Sequence, residues 1–293
     1  MPGNNYKQIV FLSGKGGTGK TTITFALSSL IINKILIDCD VDAANLYLLV
    51  DPVSQNEFPF SGGKKANIQK EKCSECSLCE TLCRFQAIKN FTVDHINCEG
   101  CGFCAKACPE KAILFEKNLS GSYFECKLED NTKFLYARLL PGEGNSGKLV
   151  TGIKTKATES IDESVKYILV DGPPGIGCPV NASIAETDFV VIVTEPSLSG
   201  VHDLKRLIQL LLRFNLKFGV VINKYDVNYN MTCEIVDYLK NKEIPLLGKF
   251  PFDKRIAESI RVKNPITEID SNYKLVSEGI LEMINSNLSN NTN

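Results

Sequence analysis

The chain has 293 residues, 43% hydrophobic and 23% charged, the composition of an ordinary globular protein that can bury one large core or two modest ones. With 33 basic against 34 acidic residues, its net charge of −1 supplies no broad attraction to phosphate backbones or anionic lipid, so nucleic acid is not an expected partner. No apolar run approaches the ~20 residues of a membrane-spanning helix, and no membrane anchor is evident. The opening MPGNNYKQIVFLSG runs from an apolar stretch straight into a glycine loop, which reads as a first strand, not an export signal, and gives a cytoplasmic expectation.

Gln8 to Leu12 is a short apolar run ending in SGKGGTGKTT, after which Ile23, Ala26, Leu27, Leu30 and Ile31 recur at helical spacing. Between this strand and helix, Gly14 to Thr21 satisfies GxxxxGK(S/T), a phosphate-binding loop. Gly14, Gly16, Gly17 and Gly19 let backbone N–H groups, Thr18 among them, close around phosphate. Lys20 reaches the β/γ oxygens, the Thr21 hydroxyl ligates Mg2+, and Lys15 and Thr22 complete the nucleotide-binding run. The plain alternative is a glycine-rich turn with a solvated lysine. Lys34 to Asp38 reads as the next parallel strand, ending in the acidic DCDVD. There Asp38 or Asp40 orients the attacking water or contacts the magnesium shell, surface acids being the alternative.

The strand–helix alternation then stops. Eight of the twelve cysteines lie between Cys73 and Cys108, crowding that favours metal ligation over cross-linking. Cys73, Cys76, Cys79 and Cys83 form CxxCxxCxxxC; Cys98, Cys101, Cys104 and Cys108 repeat it and are followed by Pro109. One such loop wraps three corners of a cubane and takes its fourth ligand from elsewhere, so two copies complete each other. The expected sets are Cys73, Cys76, Cys79 and Cys108 on one 4Fe-4S cluster, and Cys98, Cys101, Cys104 and Cys83 on the other. Arg84 stands where a proline often follows the fourth cysteine, which loosens the first motif without removing a ligand. Zinc is the alternative, because four-cysteine zinc sites also use CxxC pairs.

Tyr123 to Val150 reads as short strands with a PGEGNSG turn near the end. Alternation resumes with YILVD (Tyr167 to Asp171), FVVIV (Phe189 to Val193), a helix from His202 to Phe214, FGVVIN (Phe218 to Asn223), a helix from Met231 to Lys242, and IPLLGKF (Ile244 to Phe250). The fold class is therefore α/β: a P-loop NTPase with a mostly parallel sheet covered by helices, at residues 1–60 and 118–293. A bacterial-type two-cluster ferredoxin module interrupts it at 61–117. Asp171, followed by GPPG, fits a Walker-B acid acting on Mg2+, a strand-end cap being the alternative. Gly172 and Gly175 then permit a mobile switch. Cys39, Cys126, Cys178 and Cys233 read as small buried hydrophobes, with Cys178, seven residues after Asp171, the one to which a further role is open.

KGGTGKTT with its additional Lys15, together with DCDVDAANL, VDGPPGIGCPV and VTEP, resembles the deviant-Walker-A superfamily of MinD, ParA, Mrp and the nitrogenase iron protein. With the cysteine segment included, the chain most resembles MinD-superfamily ATPases containing an inserted ferredoxin domain. The resemblance implies a nucleotide-dependent homodimer in which Lys15 reaches the partner's nucleotide and Asp40 positions water, making Lys15, Lys20 and Asp40 the catalytic set. It also implies that Asn223 reads adenine, where the residues alone allow a turn. In the nitrogenase iron protein a related switch carries a cluster-ligating cysteine at a similar offset, which makes Cys178 a candidate dimer-axis site. The cofactors expected are ATP, Mg2+ and two 4Fe-4S clusters, and the partner a redox or metalloprotein client. Three functions compete: nucleotide-gated electron transfer or cluster handling, a maturation chaperone, and a MinD- or ParA-like spatial organiser with structural clusters. Asn272 to Leu288, with Lys274 its sole basic residue, lacks the basic face of a membrane-cycling helix.

Overall fold

The computed structural model describes residues 6–289, so the opening MPGNN lies outside the described residues. Strand β1 (Lys7–Ser13) runs through the phosphate loop into α1 (Lys20–Ser29), and β2 (Lys34–Asp38) follows. Next come β3 (Pro52–Phe60), β4 (Gly63–Ile68), α2 (Leu78–Leu82), β5 (Ile88–Lys89), β6 (Thr92–Val93), α3 (Phe103–Ala107) and β7 (Ile113–Asn118). The chain continues through β8 (Gly121–Leu128), β9 (Lys133–Leu139), α4 (Ser146–Glu159), β10 (Tyr167–Pro174), α5 (Cys178–Ile184), β11 (Phe189–Thr194) and α6 (Leu198–Arg213). It closes with β12 (Phe218–Asn223), α7 (Tyr229–Asn241), β13 (Leu246–Phe250), α8 (Arg255–Arg261), α9 (Ile266–Ile269) and α10 (Ser271–Ser289).

Nine strands form one sheet in the order β13-β12-β11-β1-β10-β2-β9-β8-β3. It is parallel from β13 to β9, and β8 and β3 add an antiparallel edge. Strands β2, β11 and β12 are buried at every position, which explains why they read as unbroken apolar runs: helices cover both faces. Val10 and Leu12 enter the core beneath α4, α5, α6 and α7. Ile9 and Phe11, of opposite parity, enter the core beneath α1, α9 and α10. The chain leaves this sheet after Phe60 and rejoins it at Gly121; between these points lie β4 paired with β7, β5 paired with β6, and the two short helices α2 and α3.

Two expectations are corrected. The stretch Tyr123 to Val150 does not end in strand: β9 stops at Leu139, and Leu149, Val150, Ile153 and Ala157 recur at helical spacing on the buried face of α4. Gly172 does not loosen a switch. It lies inside β10, where an added Cβ would stand 2.6 Å from the Leu12 side chain and 2.8 Å from the Phe11 carbonyl, so it is glycine because β1 passes so close.

Candidate functional site

Strand register places the acids. Asp171 on β10 is level with Phe11 of β1 on one side and with Asp38 of β2 on the other. Asp38 ends β2, whereas β10 runs on to Pro174, so Asp171 lies within its strand and is not the strand-end residue the sequence suggests. Both are fully buried. Lys20, at the start of α1, sets its ammonium 2.6 Å from Asp171 Oδ1. Thr21 Oγ1 donates to Asp171 Oδ2 at 2.7 Å, and Thr24 Oγ1, one helical turn beyond Lys20, donates to Oδ1 at 3.0 Å. Lysine, magnesium-type hydroxyl and Walker-B-type acid therefore meet at one point.

Asp38 organises the loop after β2. Its oxygens accept from the backbone N–H groups of Asp40 at 3.0 Å, Asn45 at 3.0 Å and Leu46 at 2.9 Å. Burial, with Asp171 beside it, pushes its carboxyl above the ordinary range. Asp40 is half-buried; desolvation raises its pKa to about 6 against the opposing pull of Lys20.

The loop itself is shaped for a guest. Thr18 is buried and its Oγ1 has no partner, an orphan that a phosphate oxygen satisfies. Gly19 has φ +90°, and an added Cβ there would stand 2.2 Å from Asn223 Nδ2. Asn223, at the end of β12, donates from that nitrogen to the Thr18 carbonyl at 2.8 Å, so it staples the loop to the sheet. It also lines a cavity of about 360 Å³ walled by Thr22, Ile23, Phe252, Ile256 and Tyr273, an apolar slot of base size beside the glycine loop. The residues present fit a magnesium-bound nucleotide.

Lys15 lies at the loop's rim. Its ammonium meets Glu195 at 2.8 Å, Ser199 Oγ at 2.9 Å and Ser197 Oγ at 3.3 Å, all in its own chain. Glu195 also meets Lys224 at 3.0 Å; despite partial desolvation, hydrogen bonds from Lys15 and Lys224 hold its carboxyl below the ordinary range. Sequence reasoning missed Thr24, Glu195 and Lys224. The i+4 spacing of Thr24 from Lys20 was its available signal, whereas Glu195 and Lys224 come near the loop only through strand order.

The cysteines fall into two groups. Cys73, Cys76, Cys79 and Cys108 line one small cavity, and Cys83, Cys98, Cys101 and Cys104 line another. The last cysteine of each motif thus joins the first three of the other. Burial raises the Cys79 thiol, with Cys73 and Cys108 adding to it; burial raises Cys104, with Cys98, Cys101 and Cys83 adding. Backbone N–H groups of Ala87 and Ala112 donate to the sulfurs of Cys83 at 3.4 Å and Cys108 at 3.3 Å. Arg84 stacks over Phe85 with its guanidinium 4.9 Å from the ring centre. Among the described residues no group of three His, Cys, Asp or Glu side chains is placed to hold a single metal ion.

Of the remaining cysteines, Cys39 and Cys126 are buried as expected, but Cys233 is exposed on α7, which corrects its reading as a core residue. Cys178 is exposed at the first position of α5, so it too is not a core residue.

The family model for the CobQ/CobB/MinD/ParA nucleotide binding domain matches residues 9–266. An uncharacterized protein of Methanocaldococcus jannaschii is 34% identical, the match covering 94% of each chain. The septum site-determining protein MinD of Synechocystis is 27% identical over 88% of this chain and 80% of its own. Among solved structures, a Cyanothece McdA variant complexed with ATP superposes with a TM-score of 0.59 at 16% identity, covering 97% of this chain and 98% of that one. Pyrococcus horikoshii MinD complexed with Mg-ADP gives 0.54 at 19% identity, covering 95% and 96%. At these identities the solved structures speak for the fold alone.

Proposed function

Because the chain belongs to the CobQ/CobB/MinD/ParA family of nucleotide-binding domains, we propose that it binds and hydrolyses ATP, and that its nucleotide state gates electron transfer or cluster handling through two 4Fe-4S clusters. Thr21 and Asp171 hold Mg2+, with Asp38 behind them. Lys20 faces the β/γ-phosphates, Asp40 positions water, Asn223 borders the base, and Lys15 serves the nucleotide of a second copy. The segment 61–117 is the cluster module. Its two cysteine groups, each completed by the other motif, support a pair of four-ligand sites, and the tandem CxxCxxCxxxC spacing favours cubanes over zinc. When bound, the clusters would supply one-electron redox capacity, and these residues would hold and screen them. The working compartment is the cytoplasm, and the partner a redox or metalloprotein client.

One observation carries the coupling between the two functions: α4 touches both. Lys154 on α4 donates to the carbonyls of Ser183 at 2.5 Å and Ala185 at 2.6 Å, at the C-terminal end of α5, while Gly147 abuts the Cys178 backbone at the other end. Helix α5 follows β10, the strand that carries Asp171. Ahead of α4, Glu143 pairs with Lys65 at 2.5 Å and accepts from Asn118 at 2.9 Å, and in the first turn of α4 Lys148 donates to the Gly62 carbonyl at 3.1 Å. A polar cavity at this joint is lined by Cys98, Gly100, Gly142 and Asn145. A shift of α5 on nucleotide exchange therefore has a packed route to the Cys98 group.

The test is anaerobic purification with iron and sulfide analysis, followed by EPR of the reduced protein without nucleotide, with ADP and with a non-hydrolysable ATP analogue. About eight iron and eight sulfide per chain and a nucleotide-dependent spectrum are expected. Stoichiometric zinc without acid-labile sulfide refutes the cluster reading. An iron-loaded protein whose spectrum ignores nucleotide favours the second reading, a spatial organiser with structural clusters, which the likeness to MinD supports.

A further inference from the structure

The contact between Lys15 and Glu195 sets a condition on pairing. A lysine ammonium has three N–H donors, and Lys15 has three acceptors around it in its own chain: Glu195 at 2.8 Å, Ser199 at 2.9 Å and Ser197 at 3.3 Å. A lysine so engaged does not reach another chain's phosphates until these contacts break. The carboxylate that holds it is itself fixed. Glu195 follows the last residue of β11, its second oxygen meets Lys224 at 3.0 Å, and Lys224 also donates to the Gly17 carbonyl at 3.1 Å. Both sides of the pair remain within reach of solvent, with side-chain exposures of 33% for Lys15 and 17% for Glu195, so the contact is breakable and not a buried lock.

We propose that Glu195 is a positioning residue that holds Lys15 against its own chain, and that the strength of this hold sets the protein concentration at which nucleotide-loaded chains pair. The proposal rests on the reading of Lys15 as a residue that serves a second copy. An exposed ion pair of this kind changes an equilibrium by a factor of ~3, and two are released per pair of chains, so the dissociation constant carries about a tenfold penalty. Glu195→Gln keeps the shape and hydrogen-bonding reach of the side chain while removing the charge. Glu195→Asp keeps the charge on a shorter stem.

The experiment is sedimentation of the anaerobically prepared full chain with Mg2+ and a non-hydrolysable ATP analogue, over a range of protein concentrations, alongside ATPase rate against protein concentration. Glu195→Gln should pair, and reach half-maximal specific activity, at about tenfold lower protein concentration than wild type. Its plateau rate per chain and its nucleotide affinity at monomeric dilution should be unchanged. Glu195→Asp should return toward wild type. A purely structural role would instead lower the plateau and leave the half-maximal concentration where it was, and that result overturns the proposal. If wild type pairs and Glu195→Gln pairs at the same or higher concentration, the restraint is wrong and the paired-chain reading stands. If neither pairs while both hydrolyse ATP, the paired-chain reading falls and takes the restraint with it.

Discussion

The nucleotide face and the cysteine segment are stabilised by opposite means. Around the phosphate loop the sheet sets the geometry: Asp38 and Asp171 are fully buried, Lys20 nearly so, and each polar group of this cluster is held by neighbours that two large cores fix in place. The segment from β4 to β7 buries few apolar side chains, Ala66, Ala87, Ile88, Ala112 and Ile113, and none of these joins either large core. Cys76 and Cys101 are exposed. So small an apolar interior does not offset the chain entropy of ordering the segment. On the proposed function, the first site is made by the fold alone and the second takes its order from the clusters it holds.

The largest effect expected is therefore loss of iron. Chelation under denaturant-free conditions should abolish amide-exchange protection across residues 63–118 while β1, β10 and β11 keep theirs. Protection retained in iron-free protein would break the contrast. Cys83→Ser sharpens it: the damage should appear in the group of Cys98, Cys101 and Cys104, not among Cys73, Cys76 and Cys79. Iron and sulfide content with EPR reads the difference.

Next in size is Lys20→Ala. It removes the cation proposed to face the phosphates and should weaken nucleotide binding by about a hundredfold in calorimetric titration. It also leaves Asp171 buried with only the hydroxyls of Thr21 and Thr24, so the nucleotide-free protein should lose about 3 kcal/mol of stability by denaturant midpoint. An unaltered midpoint would mean that the buried carboxylate does not depend on the lysine.

Asp40 gives a pH signature. Its carboxyl is raised to about 6, chiefly by desolvation, and in the role proposed for it only the ionised form orients water. Turnover should therefore be low below pH 6, rise through it and level above it. Asp40→Asn should bind nucleotide normally, turn over about a hundredfold more slowly and lose the inflection. The same inflection in Asp40→Asn assigns it to another group.

How far the sequence reveals these two regions differs for a physical reason. The phosphate loop is a local motif, and continuous apolar strands announce a parallel sheet, so Lys20, Thr21, Asp171 and the α/β class are legible from short windows. The cysteine groups are legible because ligand spacing is a code in sequence distance. Partnerships made by strand order are not: Glu195 reaches Lys15, and Asn223 reaches Thr18, only because β11 and β12 lie on the β1 side of the sheet. Helix α4 is hidden too. Its apolar residues Leu149, Val150, Ile153 and Ala157 begin directly after a glycine-rich turn, so the first of them continue the apolar pattern of the strands before it.

The smallest effect on stability carries the most information about whether the two regions communicate. Lys154 is buried, and desolvation pulls its pKa from 10.5 down to about 8. Because the folded value lies below the unfolded one, the charged form costs stability fully below pH 8, and that cost is relieved as pH rises from 8 toward 10.5. Lys154→Met removes the cost but also strips the donor from the carbonyls of Ser183 and Ala185. Each such orphaned acceptor costs about 1–3 kcal/mol, so the two consequences oppose and the net change in denaturant midpoint near neutral pH should be modest. Neither site is touched, and nucleotide affinity and iron content should match wild type. What should change is the link: with α5 no longer tied to α4, adding the ATP analogue should leave the EPR spectrum of the reduced protein, and amide exchange at residues 140–148, as they were without nucleotide. Lys154→Arg, which keeps a donor at the same carbonyls, should preserve part of the response. If Lys154→Met responds to nucleotide as wild type does, α4 is a strut and not a transmission element, and the nucleotide site reaches the cysteine groups by another route or through a client protein.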